Sequence, residues 1–309
     1  MKNLKKNIKK MAKNILPYYF IKKYLPDNNR PYHAYKDHAP GEFYSPVPAK
    51  EEIEKYNFNV PFPESLPGID LNVQEQMNLL NSFERFYNEL PFTDEKKEGL
   101  RYYYKNGWYE YSDAIILHCM LRSLKPQKII EVGSGFSSSL TLDTNEFFLE
   151  NSMKCIFIEP FTERLESLLT ESDKKNVSIH KKRLQEIPLE VFKELKENDI
   201  LFIDSTHVSK FNSDVNYVIH KILPALAPGV YIHFHDIFYP FEYPQDWLLK
   251  GWAWNEQYIL RAFLQFNSEF KIVMFSSFLE NLYEEEIKRR FPLLYKVTGA
   301  SIWLKRIKV

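Results

Sequence analysis

Two short stretches concentrate the acid, base and metal-binding groups of this 309-residue chain: Asp204-Ser-Thr-His207 and His233-Phe-His235-Asp236. Each closes an apolar, β-rich run, so each belongs at a strand end. Carboxylates gathered this way can hold a divalent ion that lowers the pKa of a bound hydroxyl, while a neighbouring imidazole takes its proton. Side-chain alternation along VYIHFHD puts His233 and His235 on one side of the strand, with Asp236 at its exit. The same groups also have plainer uses. Asp204 can cap the following turn, Asp236 can satisfy loop amides, and strand-end histidines often only pack.

A second group lies nearer the start: Glu131-Val-Gly133-Ser134-Gly135-Phe-Ser137-Ser-Ser, after another apolar run and ahead of a helical stretch. Glycines in a strand-to-helix turn permit tight backbone and close ligand approach. Hydroxyls and helix N–H groups there can satisfy polar ligand atoms. A nucleotide-like ligand fits such a turn, and so does a turn with no ligand at all. The next apolar run ends in Glu159-Pro160, which puts a carboxylate where it can accept both hydroxyls of a ribose and then turns the chain away.

These residues need a sheet to bring them together. After Pro126, short β-rich runs alternate with helical stretches, the pattern of βαβ units and a mostly parallel sheet. The runs are KIIEV from Lys128, KCIFIE from Lys154, VSIHKK from Val177, DILFID from Asp199 and VYIHFHD from Val230; KIVMFSS from Lys271 and ASIWLKR from Ala300 form a late pair. Seven strands in an α/β, Rossmann-like, mostly parallel sheet with helices on both faces is the predicted architecture. Ligands of such sheets bind beyond the carboxyl ends of the strands, where all the groups above fall.

With those motifs in place, residues 102–309 resemble the class I S-adenosylmethionine-dependent methyltransferases. In that family the first strand ends in acidic-x-Gly-x-Gly, matched by Glu131, Gly133 and Gly135, and the second in the ribose-binding acid, matched by Glu159. The resemblance implies S-adenosylmethionine as cofactor. Gly133 and Gly135 would lie along its methionine part, with Ser134, Ser137 and Asp204 beside it, and Leu184 and Gln185 near adenine. The family's third motif glycine is absent, since Phe136 and Ser137 follow Gly135.

Asp-x-x-His after the fourth strand, with His-Asp after the fifth, is similar to the small-molecule group that includes the macrolide sugar O-methyltransferases. That resemblance implies His207 as general base and a divalent metal, magnesium in that group, at Asp204, Asp236 and the position of His235. His235 stands where the group commonly has a carboxylate, and a nitrogen donor suits softer metals than magnesium. The implied acceptor is a sugar or glycoconjugate precursor. Two rival readings share the turn: a nicotinamide dehydrogenase, which would want glycine where Ser138 stands, and a non-catalytic scaffold of the same fold.

Between the fifth strand and the next helix, PFEYPQDWLLKGWAWNEQY carries Tyr243, Trp247, Trp252 and Trp254. Rings stack on sugar faces and cover sulfonium groups, so Tyr243, Trp252 and Trp254 are candidate acceptor contacts; they would equally well anchor the loop. Tyr102, Tyr103, Tyr109 and Asp113 are candidates for the opposite wall.

Upstream, three segments are expected: a leader (1–25), an accessory region (26–105) and the catalytic domain (106–309). The leader MKNLKKNIKKMAKNIL sets Leu4, Ile8, Met11 and Ile15 on one helical face among lysines, which suits an anionic membrane surface as well as a solvated end. The accessory region begins irregular and Pro-rich. It then turns helical after Asn72, read as an N-cap with Glu75 at the third helical position. A second helix is expected over 113–124.

With 41 Lys and Arg against 41 Asp and Glu, no electrostatic pull toward nucleic acid is expected. Cys119 and Cys155 sit in apolar runs without metal-ligand spacing. No apolar stretch approaches ~20 residues. The expected setting is the cytoplasm or the inner membrane face, with a small-molecule or glycan acceptor and self-association left open.

Overall fold

A computed structural model describes residues 38–307; the basic leader lies outside the described residues. Two compact units divide at Glu52 and Ile53. The described part of the first, 38–52, is a set of turns, with a bond from Gly41 N to the Val47 carbonyl at 3.0 Å, that ends in the start of a short helix, Lys50–Lys55.

The second unit is a seven-stranded sheet: β1 (Lys128–Val132), β2 (Lys154–Ile158), β3 (Ser178–His180), β4 (Ile200–Ile203), β5 (Tyr231–His235), β6 (Phe270–Phe275) and β7 (Ser301–Arg306). Its order is β3-β2-β1-β4-β5-β7-β6. The first five strands pair in parallel, whereas β7 enters antiparallel between β5 and β6. The runs read from the sequence therefore recur as strands, and the late pair is indeed a pair. The central strands are buried on both faces. Ile200 to Ile203 and Ile129 to Ile130 are fully enclosed, which explains their unbroken apolar character and lack of period-two alternation.

Five helices matter for the site: α1 (Val73–Ser82), α2 (Tyr111–Leu124), α3 (Phe136–Phe148), α4 (Glu256–Leu264) and α5 (Ser276–Leu282). Asn72 does precede α1, but it has a left-handed backbone (φ 50) and makes no side-chain cap. Its side chain donates to the Asp70 carbonyl instead, and its own carbonyl receives the N–H groups of Glu75 and Gln76. Gln76, fully buried, receives Phe275 N at 2.7 Å and so fastens α1 to the end of β6. Helix α2 begins at Tyr111 and takes in the expected 113–124. It is buried through Leu121, which explains its weak amphipathic pattern.

Arg101 ties the segment ahead of α2 to α3 and to Asp173, ahead of β3. Its guanidinium reaches Asp143 at 2.8 Å, Asp173 at 2.7 Å and Glu146 at 2.7 Å. Among the described residues, no helix is long and apolar enough to cross a membrane.

Candidate active site

At the carboxyl end of β1 the chain turns through Gly133 at φ 78. A Cβ there would lie 1.6 Å from the Asp204 carbonyl oxygen, so only glycine lets the turns after β1 and β4 pass each other. Gly135 differs. Its backbone is extended, and an added Cβ would meet only the flexible Arg164 side chain at 3.2 Å. Glu131 is wholly buried and receives Ser137 Oγ at 2.5 Å and Ser138 Oγ at 2.9 Å. Burial pushes its carboxyl up to about 8, and the two hydroxyls only partly offset this. Glu131 thus shapes the turn from behind, joining the strand to the first turn of α3. Glu159 Oε2 receives Ser134 N at 3.2 Å and Oε1 receives Phe161 N at 2.8 Å, which sets the carboxylate across the glycine turn.

A cleft of about 460 Å³ opens over these turns. Gly133 to Ser137 and Glu159 line one end, while Asp204 to His207, His235 and Asp236 line the other. At the chemical end, His207 Nε2 lies 3.3 Å from Asp204 Oδ1 and 3.5 Å from Asp236 Oδ2. Donor atoms of Asp204, His207 and Asp236 all fall within 4.8 Å of one another. On its far side, His207 Nδ1 is 2.9 Å from Glu256 Oε2.

His235 sits beside this trio. Its Nδ1 is 3.5 Å from Asp204 Oδ1 and 3.6 Å from Asp236 Oδ1, and its Nε2 is 3.4 Å from Asp113 Oδ2. His233 shares its side of β5, as alternation required, but lies one step deeper, stacked on Phe202 at 3.9 Å with neither nitrogen bonded.

Four carboxyl groups, those of Asp113, Asp204, Asp236 and Glu256, thus surround two buried imidazoles. Burial alone would push the His207 pKa down. Asp204 and Glu256 outweigh that and hold it at about 10. Burial likewise opposes charge on His235, and Asp236 and Asp204 overcome it, so its pKa is raised. For Asp204 burial is again outweighed, here by His235 and His207, and its pKa is lowered; burial dominates at Asp236 and raises it.

The backbone here is strained as well as charged. His207 (φ 58) and Asp236 (φ 56) both take the left-handed conformation that non-glycine residues seldom adopt. The His207 turn is held open by its neighbours. Thr206 N and Oγ1 donate to Asp214 at 3.0 and 2.6 Å, and the N–H groups of Asn255 and Glu256 reach the His207 carbonyl at 3.0 and 3.1 Å.

A model of a methyltransferase domain matches residues 130–237, from within β1 to just past β5, and so takes in the glycine turn, Glu159, Asp204, His207 and Asp236. An uncharacterised protein of Archaeoglobus fulgidus is 31% identical over 169 residues, which is 52% of this chain and 75% of that one. The chain belongs to the class I S-adenosylmethionine-dependent methyltransferases. The fold is also similar to that of the O-methyltransferase TomG of Streptomyces achromogenes, solved with S-adenosylmethionine (14% identity, 76% of this chain, 90% of that chain, TM-score 0.43). A further likeness is to the methyltransferase PaMTH1 of Podospora anserina, solved with S-adenosylhomocysteine (12% identity, 80% of this chain, all of that chain, TM-score 0.42).

Not every residue singled out in the methyltransferase sequence reaches the cleft. Gln185 is carried away by a 3-10 turn, Leu184–Glu186, and its amide donates to the Asn212 carbonyl at 2.7 Å. Of the aromatic trio only Trp254 lines the cleft, its ring 4.4 Å from that of His207. Trp252 stacks on the outer side of Trp254 at 5.0 Å, and Tyr243 is buried behind it, edge-on at 6.2 Å. Tyr109 lines the opposite wall, whereas Tyr102 supports it from within by donating to the Tyr109 carbonyl at 2.7 Å.

Sequence reasoning missed Glu256, 49 residues from its partner, and also Trp108 and Arg164, which line the cleft. The Arg164 guanidinium lies 3.6 Å over the Trp108 ring, beside the glycine turn.

Proposed function

We propose that the methyltransferase moves the methyl group of S-adenosylmethionine to a hydroxyl of a sugar or glycoconjugate precursor, with His207 as the proton acceptor. The observation that carries this reading is the His207 ring. One nitrogen is held by Glu256 and the other is turned between Asp204 and Asp236, in the same cleft as the glycine turn and Glu159.

The cleft's other end suits the cofactor. The buried hydroxyl of Ser134 has no partner there, and Gly133 to Ser137 with Glu159 would hold the methionine and ribose parts. Bound there, the cofactor supplies an electrophilic methyl carbon. An alcohol attacks such a carbon well only when its proton is leaving; the neutral form of the His207 ring, whose share grows as pH rises toward its value of about 10, gives that proton a destination. Trp254, with His207 on one face and Trp252 on the other, gives the acceptor an aromatic wall directly beside the base.

The donor set also suits a divalent cation. Two carboxylates and an imidazole nitrogen converge within 4.8 Å, and four carboxyl groups crowd two imidazoles. Asp204 and Asp236 would hold the ion, which would lower the pKa of a bound hydroxyl.

The test is transfer from methyl-labelled S-adenosylmethionine to a panel of glycosides, nucleotide sugars and matched amino sugars, with and without chelator. Label should appear on oxygen, fall in chelator and return with added divalent metal. Label found only on nitrogen would overturn the oxygen reading; unchanged turnover in chelator would remove the metal.

A further inference from the structure

We infer that Glu256 is the positioning residue for His207, fixing a proton on Nδ1 so that Nε2 is the nitrogen offered to the space between Asp204 and Asp236. The inference rests on the proposal that His207 accepts the acceptor's proton.

A lone proton on imidazole can occupy either nitrogen, and only the nitrogen without it can act as acceptor. At His207 the two nitrogens have unequal surroundings. Glu256 Oε2 is 2.9 Å from Nδ1, closer than either aspartate is to Nε2. Glu256 is also 1% exposed, so little water competes for that bond. An ionised Glu256 only accepts, so its pairing places an N–H on the Nδ1 side.

The same turn holds the rest of the residue. Asn255 and Glu256 donate their backbone N–H groups to the His207 carbonyl, and Asn255 exchanges bonds with Ser209, receiving Ser209 N at 2.6 Å. The Trp254 ring covers one face of the imidazole, which opposes a ring flip. Three consecutive residues, Trp254 to Glu256 at the start of α4, thus fix the backbone, ring plane and protonated nitrogen of His207. Because that segment also carries the aromatic wall, the acceptor and the base are positioned by one piece of chain.

The test uses the full chain labelled with nitrogen-15 histidine, its His207 signals identified by their loss in His207→Gln. Long-range proton–nitrogen spectra of the wild type over a rising pH series should show a hydrogen-bonded, low-field proton on Nδ1 that outlasts the proton on Nε2. Glu256→Gln, whose amide oxygen still accepts, should keep that proton at higher field. Glu256→Leu should lose it, with exchange into water faster by about tenfold or more, and S-adenosylmethionine affinity by calorimetry should be unchanged.

A wild-type Nδ1 without a proton would mean that Glu256 is a neutral acid donating to it, and overturns the inference. So does a Glu256→Leu variant that loses melting temperature while its His207 signals stay as in the wild type. Failure of the wild type to bind S-adenosylmethionine would overturn the cofactor reading instead, and leaves the nitrogen spectra to decide the role of Glu256.

Discussion

Replacing Gly133 by alanine places a methyl carbon 1.6 Å from the Asp204 carbonyl oxygen and 2.6 Å from its carbon, at a backbone φ of 78. The left-handed conformation alone costs an alanine about 1 to 2 kcal/mol. The overlap is the larger matter. Side-chain carbons essentially never approach other atoms within 3.0 Å, so one of two turns must retreat by more than an ångström, and neither is free. Gly133 N is bonded to the Ile158 carbonyl and Asp204 N to the Val132 carbonyl, both inside the sheet.

Overpacking of this kind typically costs a further 1 to 3 kcal/mol, so Gly133→Ala should lose about 2 to 5 kcal/mol. For a unit of this size that is roughly a 5 to 15 °C fall in melting temperature. Because the turn that retreats carries either the cofactor cradle or Asp204, affinity for S-adenosylmethionine should fall with it. Gly135→Ala is the matched control: an extended backbone and a movable Arg164 side chain predict a loss under about 1 kcal/mol. Calorimetric melting and S-adenosylmethionine titration of both variants decide the matter. Equal losses at the two glycines, or a Gly133→Ala protein that melts and binds like the wild type, would refute this account of the motif.

Other expectations concern the base, the core and pH. His207→Ala should reduce turnover by about 10²- to 10⁴-fold while leaving cofactor affinity nearly unchanged; a parallel loss of both, seen by titration beside steady-state rates, would make the residue structural. Arg101→Met leaves Asp143 and Asp173 without their cation, and denaturant unfolding should register a loss of about 3 to 5 kcal/mol.

Glu280 receives Gly299 N at 2.7 Å and the Ser112 hydroxyl, and burial raises its pKa from 4.5 to about 8. A raised carboxyl pKa gives stability that is complete below the unfolded value and lost as pH climbs through the folded one. Glu280→Gln should therefore gain melting temperature relative to the wild type between pH 5 and 8; parallel curves over that range would count against a neutral Glu280.

The sheet and the glycine turn were legible because they depend on local signals: apolar runs of strand length, the glycines after β1, and an acid ending β2. Asp204 and Asp236 could be read for the same reason, since each immediately follows a strand, and His207 comes three residues after Asp204. Glu256 could not. In the sequence it is an unremarked acid in the first turn of an amphipathic helix, where a carboxylate is favoured by the helix dipole alone. Only the folded loop shows it turned inward. Its one sequence signal is its place two residues after Trp254, the last tryptophan of the insertion.

Gln185 stands outside the residues that line the cleft for the opposite reason. Its position was inferred from distance past β3, and a 3-10 turn, which eclipses residues three apart, rotated it toward Asn212. Trp252 and Tyr243 show a third limit: composition identifies an aromatic wall without saying which ring is its inner surface.

The two left-handed residues at the site bear on how this chain would respond to selection. Asparagine or glycine relieves a left-handed backbone, so a library screened for heat resistance alone should be drawn to positions 207 and 236, where relief is available. Each gain there would remove an imidazole or a carboxylate from the cleft. Durability and chemistry therefore compete at two identifiable codons, and an engineering campaign on this scaffold should hold both fixed while it searches elsewhere.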